Sequence, residues 1–253
     1  RPAGRGISMS HISLTSVAFG RPIDSIRDYV AALEARGRLL RIGSMDQDQY
    51  EITAFAYRLL ERFGAEAAPG FLVERVRIDG QWRDGPVLAN LYGSWPDEAL
   101  LFGVAAINDD QHQMYRAVID TLVSQLDRSG NWPRIPPVEI PAAQAPCKEV
   151  VLTGDAIDIE RFAWLKNNPG DAGRYINMGS VFMRDPELGS NVGTYRCQVK
   201  GPRKIGVNPE PGQHGWLLLR EMQQRGDKVA KVAIAVAPDP MTFCASSTKM
   251  AGF

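Results

Sequence analysis

Apolar residues recur at helical spacing in three stretches of the first half of the chain, residues 26–33, 52–63 and 114–126. Gly37 and Gly64 end the first two stretches, as glycine commonly does at the C-terminus of a helix. Between the stretches lie short runs of β-branched and aromatic residues, "FLVERV" and "VLANLY" among them, which predict strands. The first half of the chain is therefore predicted to be a mixed α/β unit.

A proline-rich segment interrupts this pattern, with five prolines between residues 132 and 147. Because proline lacks an amide donor and fixes φ, neither a helix nor a central strand is expected to run through it. We therefore predict a linker at residues 133–146. It separates an N-terminal domain at residues 21–132, preceded by a flexible tail at residues 1–20, from a second domain at residues 147–253.

The second domain is rich in predicted strands. Its apolar runs read "EVVL", "YINMGSVFM", "VGTYRCQV" and "KVAIAV", and one helix is predicted from Trp216 to Arg225. The fold class predicted for the chain is α/β (α+β), with a mixed α/β domain followed by a strand-rich domain.

Charge and cysteine content narrow the classes of function. The chain has 253 residues with 29 basic and 29 acidic side chains, a balance that argues against binding to the phosphate backbone of nucleic acids. No apolar run approaches the roughly 20 residues needed to cross a bilayer. Cys147, Cys197 and Cys244 are odd in number and lack C-x-x-C spacing, so neither a disulfide framework nor a zinc site is predicted. These features predict a cytoplasmic protein that binds neither nucleic acid nor membrane.

Several polar motifs follow one another in the second domain: "NVGTYR", then "QHG", then "CASS". Together with "CKEVVLTGDAIDIERF", "NPGDAGRYINMGSVFMRDPELG" and "VAIAVAPDP" they form an ordered set over residues 147–253. This set resembles the UbiD-type decarboxylases, which use prenylated flavin mononucleotide (FMN). The N-terminal half resembles the family more loosely, through "GFLVERV" and "PVLANLYGS". The resemblance implies that the second domain is a split-barrel-like flavin-binding domain.

The resemblance also implies a metal site, in which Asn191 and His214 bind a divalent metal that holds the flavin phosphate. An amide oxygen and an imidazole nitrogen beside phosphate oxygens suit Mn²⁺ or Mg²⁺, and the nitrogen favours Mn²⁺. The resemblance is also compatible with K⁺ as a further bound cation. The third protein ligand of the family is a glutamate beyond the two serines, and the chain ends at Phe253 before such a residue. Taken alone, a single asparagine or histidine is more often structural.

Contacts to the cofactor are implied for a set of backbone and polar groups. Hydroxyl and amide groups bond phosphate oxygens without adding charge, and a glycine allows a close approach of the backbone. The implied cofactor-binding residues are Gly193, Thr194, Tyr195, Arg196, Gln213, Ser246 and Ser247.

Arg196 is the predicted catalytic residue. In the family the matching arginine belongs to a Glu-Arg-Glu network beside the flavin, where its fork engages a substrate carboxylate or holds a catalytic glutamate. Its more ordinary interpretation is a strand arginine in an ion pair. Strand alternation puts Asn191 and Arg196 on opposite faces. Either Gly193 marks an irregularity in the strand, or the two residues act on different sides of the cofactor.

The activity that the resemblance implies is reversible, non-oxidative decarboxylation of an aromatic or α,β-unsaturated carboxylic acid, with CO₂ as the other product. The catalytic glutamates of the family would lie after Phe253, so the chain is expected to be part of a longer enzyme. That enzyme is expected to form a homo-oligomer through a C-terminal domain and to receive its cofactor from a flavin prenyltransferase. Two alternatives stay open: a cofactor- or metal-binding subunit that needs a partner chain, and an ordinary FMN oxidoreductase.

Overall fold

The structure, a computed structural model, describes residues 17–18, 21–104, 110–133 and 135–248. Most of the predicted tail at residues 1–20 therefore lies outside the described residues. The elements up to residue 133 are β1 (Val17–Ala18), β2 (Arg21–Pro22), α1 (Ile26–Ala35), β3 (Leu39–Asp46), α2 (Glu51–Phe63), β4 (Gly70–Ile78), β5 (Gln81–Ala89), α3 (Trp95–Leu101) and α4 (Gln111–Val123). The later elements are β6 (Tyr175–Asp185), β7 (Gly189–Gly201), β8 (Lys204–Val207), α5 (His214–Gln224), β9 (Val232–Val236) and α6 (Pro240–Ser247).

The first unit is built on the three-stranded sheet β3-β4-β5, in which β3 and β4 are parallel and β4 and β5 antiparallel. The parallel pair needs a crossover, which α2 provides. The central strand β4 is buried on both faces. Leu72 packs into a core with Leu33 of α1, while Phe71 packs into a second core with Leu59 of α2. The mixed α/β unit predicted from the sequence is confirmed.

The second unit is built on the antiparallel sheet β8-β7-β6-β9. Helix α5 covers one face, where Leu218 packs with Val181 of β6. Helix α6 covers the other face, where Ser246 is hydrogen-bonded to Ser180, the residue of β6 just before Val181. The strand-rich second half predicted from the sequence is confirmed, and with it the fold class.

Several element predictions need correction. The "EVVL" run, residues 149–152, forms no strand, because no strand among the described residues pairs with it and Val150 is 75% exposed. Five short elements were not predicted: β1, β2, α3, β8 and α6. The signal for α6 is present in the sequence, since Asp239 caps the helix by accepting a hydrogen bond from the amide of Thr242 and Pro240 follows it at the first helical position.

The two units contact each other through side chains and backbone. Tyr92 of the first unit stacks on Phe243 of α6, with ring centroids 4.7 Å apart. Arg83 donates a hydrogen bond of 2.8 Å to the carbonyl of Glu160. The described residues of the predicted linker contain the 3₁₀ turn Ala142–Gln144 and the start of a second one, Pro146–Lys148, and neither an α-helix nor a strand. Within the described ranges, no helix has the length and apolar character needed to cross a bilayer.

Asp185 at the end of β6 gives the fold a pH-dependent contact. Its buried carboxylate accepts a 2.6 Å hydrogen bond from Arg225 and bonds of 2.9 Å from the amides of Leu188 and Glu187. The Arg225 bond is the largest of the causes that lower the pKa of Asp185 to about 2. Because this folded pKa lies below the unfolded value of about 3.9, the contribution to stability is complete above roughly pH 4 and is lost as the pH falls through about 2.

We therefore expect Asp185→Asn to lower Tm at neutral pH and to flatten the fall of Tm between about pH 4 and pH 2. The matched control is Asp155→Asn, since Asp155 also pairs with an arginine, Arg203, but its side chain is 97% exposed. The control is expected to keep the wild-type profile because exposed pairs contribute little. A wild-type profile for Asp185→Asn would contradict the assignment.

Candidate functional site

The site residues of β7 alternate between the two faces of the sheet. The pairing of residues 189–195 with β6 is unbroken, and burial alternates, with Gly193 buried and Arg196 exposed. Gly193 therefore marks no irregularity, and Asn191 and Arg196 lie on opposite faces. The irregularity lies instead in the neighbouring strand, at residues 176–179 of β6.

On the α5 face, the phenol of Tyr195 is held between two glycines. A Cβ atom on Gly193 would lie 2.6 Å from the phenol oxygen, and one on Gly215 would lie 2.5 Å from it. The same oxygen accepts a 3.1 Å hydrogen bond from the amide of Gly215. This contact fixes the start of α5 against β7, so His214, the first residue of the helix, is held beside the face that carries Asn191.

The glycine at position 215 is expected to matter for stability. Gly215→Ala would gain up to about 1 kcal/mol of helix propensity, but overpacking against the Tyr195 ring costs about 1–3 kcal/mol. We therefore expect a net loss of stability, measured as a lower midpoint of urea unfolding. Gln223→Ala, at an exposed position of the same helix, is the control and is expected to leave the midpoint nearly unchanged. An unchanged midpoint for Gly215→Ala would show that the phenol moves aside freely.

On the α6 face, hydroxyl groups from three elements form a cluster. The Oγ atom of Ser246 is 2.9 Å from that of Ser180 and 2.8 Å from Oγ1 of Thr194. The Oγ atom of Ser247 is 3.0 Å from the same Thr194 atom. Ser246 and Ser180 are buried, while Ser247 is exposed. The structure thus brings together the side chains of three predicted cofactor-binding residues, Thr194, Ser246 and Ser247, and adds Ser180, which was not predicted.

Two further predicted residues have different surroundings. Gln213 precedes α5 in an exposed turn, where its side-chain oxygen accepts a 2.7 Å hydrogen bond from the amide of Glu210. The side-chain nitrogen of Asn191 is buried and has no hydrogen-bond partner. A phosphate oxygen would satisfy this nitrogen and leave the amide oxygen to a metal. No group of three His, Cys, Asp or Glu side chains suited to a metal occurs in the part of the chain that the structure describes.

Arg196 is held by a carboxylate of its own chain. Its two terminal nitrogens each donate a 3.0 Å hydrogen bond to Asp171, and its Nε donates one of 3.2 Å to Asn177. Its guanidinium carbon lies 4.0 Å from the centroid of the Tyr175 ring. The bond from Arg196 is the largest of the causes that lower the pKa of Asp171. The ion-pair interpretation of Arg196 is thus observed, and Asp171 is the residue that sequence reasoning missed.

A cavity of about 680 Å³ lies between the two units. Most of its walls are apolar, and aromatic side chains from both units line it: Tyr57, Tyr92, Phe162, Trp164 and Phe243. Tyr175 and Asn177, the two residues that contact Arg196 besides Asp171, also line it. The guanidinium therefore lies next to two wall residues of a space large enough for a ring-containing ligand.

Known proteins resemble the chain along most of its length. Residues 30–119 match the 3-octaprenyl-4-hydroxybenzoate carboxy-lyase N-terminal domain, and residues 138–252 match the Rift-related domain of the same carboxy-lyase. The chain is 28% identical over 228 residues to a phenolic acid decarboxylase of Sedimentibacter hydroxybenzoicus and 29% identical over 233 residues to one of Escherichia coli O157:H7. These alignments cover 88% and 90% of this chain, but 44% and 46% of the relatives.

Solved structures show the same relationship. The vanillic acid decarboxylase of Sedimentibacter hydroxybenzoicus in its closed form superposes with a TM-score of 0.71 at 25% identity, over 89% of this chain and 45% of that one. The UbiD-class enzyme HmfF of Pelotomaculum thermopropionicum in complex with FMN gives 0.68 at 26% identity, over 89% and 46%. The chain therefore spans less than half the length of these relatives. The two domain matches together account for most of its residues, and the chain belongs to the UbiD family of carboxy-lyases.

Proposed function

We propose that this chain supplies cofactor and substrate contacts to an enzyme that decarboxylates an aromatic carboxylic acid, reversibly and without oxidation. The observation that carries the proposal is the position of Arg196, whose guanidinium contacts Tyr175 and Asn177, two wall residues of a cavity lined with aromatic side chains. A guanidinium pairs well with a carboxylate, and an apolar cavity accepts an aromatic ring. The named relatives, which include phenolic acid decarboxylases, support the same class of substrate.

The proposed cofactor is prenylated FMN. An evolved dimeric form of HmfF, 25% identical to this chain with a TM-score of 0.64, has been solved in complex with prenylated FMN. In this chain, Gln213 and the backbone near Gly193 and Tyr195 would contact the phosphate on the face of β7 that carries Asn191. The hydroxyl groups of Thr194, Ser246 and Ser247 lie on the opposite, α6 face and would contact the cofactor from there. When bound, the cofactor supplies an acceptor for the electron density released with CO₂.

A divalent metal, Mn²⁺ or Mg²⁺, is proposed at the phosphate. The unpartnered buried nitrogen of Asn191 fits this proposal, because a phosphate oxygen would accept its hydrogen bond while the amide oxygen binds the metal. His214 would supply the nitrogen ligand from the start of α5. No observation among the described residues favours a K⁺ site.

The side chains around Arg196 have a defined task in this reaction. Arg196 would bind and orient the substrate carboxylate, while the apolar walls exclude water from it. A carboxylate leaves as neutral CO₂, so a poorly solvated environment favours the product side of the step. The apolar wall residues contribute to the reaction by fitting the substrate ring and by keeping water out of the cavity.

Assembly and domain organisation are part of the same proposal. The whole protein is proposed to be a homo-oligomer, to act in the cytoplasm and to receive its cofactor from a flavin prenyltransferase. Residues 21–132 and 147–253 are proposed as two domains joined by residues 133–146. The hydrogen bonds and the aromatic stack between the two units support a fixed arrangement of these domains around the cavity.

The experiment is to produce the whole enzyme to which this chain is proposed to belong, with and without a flavin prenyltransferase, and to supply Mn²⁺. Release of CO₂ is then measured with 4-hydroxybenzoate, vanillate and cinnamate, and exchange of labelled bicarbonate tests the reverse direction. We expect release only from the preparation whose extracted cofactor has the mass of prenylated FMN. Reduction of a substrate by the preparation that carries ordinary FMN, without release of CO₂ from either one, would favour the oxidoreductase alternative.

A further inference from the structure

We propose that Asp171 is a positioning residue for Arg196, and that the first unit of the protein sets its place through the loop at residues 166–168. The inference rests on the proposed function in one respect: Arg196 is taken to bind the carboxylate of the substrate. The geometry of the pair and its supports is independent of that assumption.

The contact between Asp171 and Arg196 is that of a rigid pair. Both oxygens of Asp171 accept a 3.0 Å hydrogen bond from the guanidinium, a bidentate arrangement that fixes its plane as well as its position. The Asp171 side chain is 10% exposed, while that of Arg196 is 49% exposed. The less exposed carboxylate is therefore the fixed partner, and the longer, more exposed arginine is the one that it orders.

Asp171 is itself fixed by its own loop. Its Oδ2 atom accepts hydrogen bonds from the amides of Asn167 at 3.2 Å and Asn168 at 3.1 Å. Such bonds stabilise the ionised carboxylate and leave it little rotational freedom. A displacement of this loop would carry Asp171 with it.

The first unit holds the same loop at two carbonyl groups. Gln47 donates a 2.8 Å hydrogen bond to the carbonyl of Lys166, and Thr53 of α2 donates one of 2.8 Å to the carbonyl of Asn167. Gln47 is 4% exposed, so its bond is made in the interior. A continuous series of hydrogen bonds therefore runs from the start of α2, through the loop and Asp171, to Arg196.

Asp171 leaves part of Arg196 open to a ligand. A guanidinium has five N–H donors. Asp171 accepts from two of them and Asn177 from a third, which leaves two for other acceptors. The guanidinium is stacked on Tyr175 and bonded to Asn177, and both of these residues line the cavity. In this arrangement Asp171 supports the arginine and strengthens its binding of a ligand. If Asp171 instead occupied all the donors of the guanidinium, it would weaken the binding of a ligand.

The first test measures the guanidinium directly, by NMR of protein labelled with ¹⁵N-arginine and with the Arg196 signals assigned by Arg196→Lys. We expect slow rotation of the Arg196 guanidinium in the wild type and at least about tenfold faster rotation in Asp171→Asn. Thr53→Val, which keeps the shape of the side chain and removes the hydroxyl donor, is expected to give a smaller acceleration. Asp155→Asn, which removes the exposed partner of Arg203, is the matched control and should leave the Arg196 signals unchanged.

Fast rotation in the wild type, or wild-type rotation in both Asp171→Asn and Thr53→Val, would overturn the proposal. If Asp171→Asn fails to fold, Thr53→Val decides, because it leaves the carboxylate in place and alters only the support from the first unit.

The second test measures binding of benzoate and of its neutral analogue benzamide to the same proteins. Loss of positioning predicts that Asp171→Asn binds benzoate about tenfold more weakly and benzamide equally well. Tighter binding of benzoate by Asp171→Asn would overturn the proposal, because it would identify Asp171 as a competitor for the fork. A third outcome is that neither the wild type nor any variant binds benzoate, although NMR shows the expected faster rotation of Arg196 in Asp171→Asn. In that case the positioning of Arg196 by Asp171 stands and the proposed function fails.

Discussion

Replacing Arg196 with alanine is expected to reduce decarboxylation at least about a hundredfold and to leave the flavin content nearly unchanged. The proposed role of the guanidinium lies with the substrate carboxylate, and loss of one well-placed donor commonly costs a hundredfold to a thousandfold in turnover. Arg196→Lys is expected to fail as well, because an ammonium group cannot bond Asp171 bidentately and present further donors to the cavity. The measurements are CO₂ release and the ratio of flavin absorbance to protein.

The control for this substitution is Arg203→Ala. Arg203 also pairs with an aspartate, but it lies in an exposed turn beside Asp155. Its removal is expected to change neither turnover nor flavin content. Near-normal turnover in Arg196→Ala would remove Arg196 from the mechanism, whereas a parallel loss of flavin would assign it to cofactor binding alone.

Much of the fold follows from local patterns in the sequence. The long strands β6 and β7 are predictable because their residues alternate between two environments over many positions, and α1, α2 and α4 because their apolar residues keep helical spacing. Elements such as α3 and β8 are too short for a period to be recognised. The "EVVL" run shows the converse error, since an apolar run becomes a strand only where a neighbouring strand is available to pair with it.

The residues of the candidate site also differ in how far local sequence patterns predict them. Asn191, His214 and three members of the hydroxyl cluster, Thr194, Ser246 and Ser247, could be proposed from the sequence because short motifs carry them, and their roles stay predictions. Asp171 could not, because its pairing with Arg196 joins residues 25 positions apart and depends on how the chain returns along β6. The supports from Gln47 and Thr53 reach across 119 and 114 positions. Contacts of this kind are set by the packing of one unit on the other and leave no local pattern.

His214→Ala is expected to lower the occupancy of metal and flavin together. If the metal links His214 and Asn191 to the flavin phosphate, loss of the nitrogen ligand weakens the metal, and the phosphate loses its counter-charge with it. We expect at least about a tenfold loss of Mn²⁺ affinity, measured by metal analysis and by flavin absorbance after gel filtration. His112→Ala is the matched control, because His112 lies in α4, where it packs against Trp95 away from β7. Wild-type occupancy of both ligands in His214→Ala would show that the assignment is wrong.

Asn191→Asp separates the two tasks assigned to the amide. The substitution keeps an oxygen for the metal but replaces the buried, unpartnered nitrogen with a second oxygen, which cannot donate to a phosphate and repels it. We therefore expect Asn191→Asp to retain Mn²⁺ while losing most of the flavin, in contrast to the joint loss expected for His214→Ala. If Asn191→Asp retains flavin at the wild-type level, the nitrogen of Asn191 does not face the phosphate. If it loses the metal first, the amide oxygen is not replaceable by a carboxylate and the ligand geometry proposed for Asn191 is wrong.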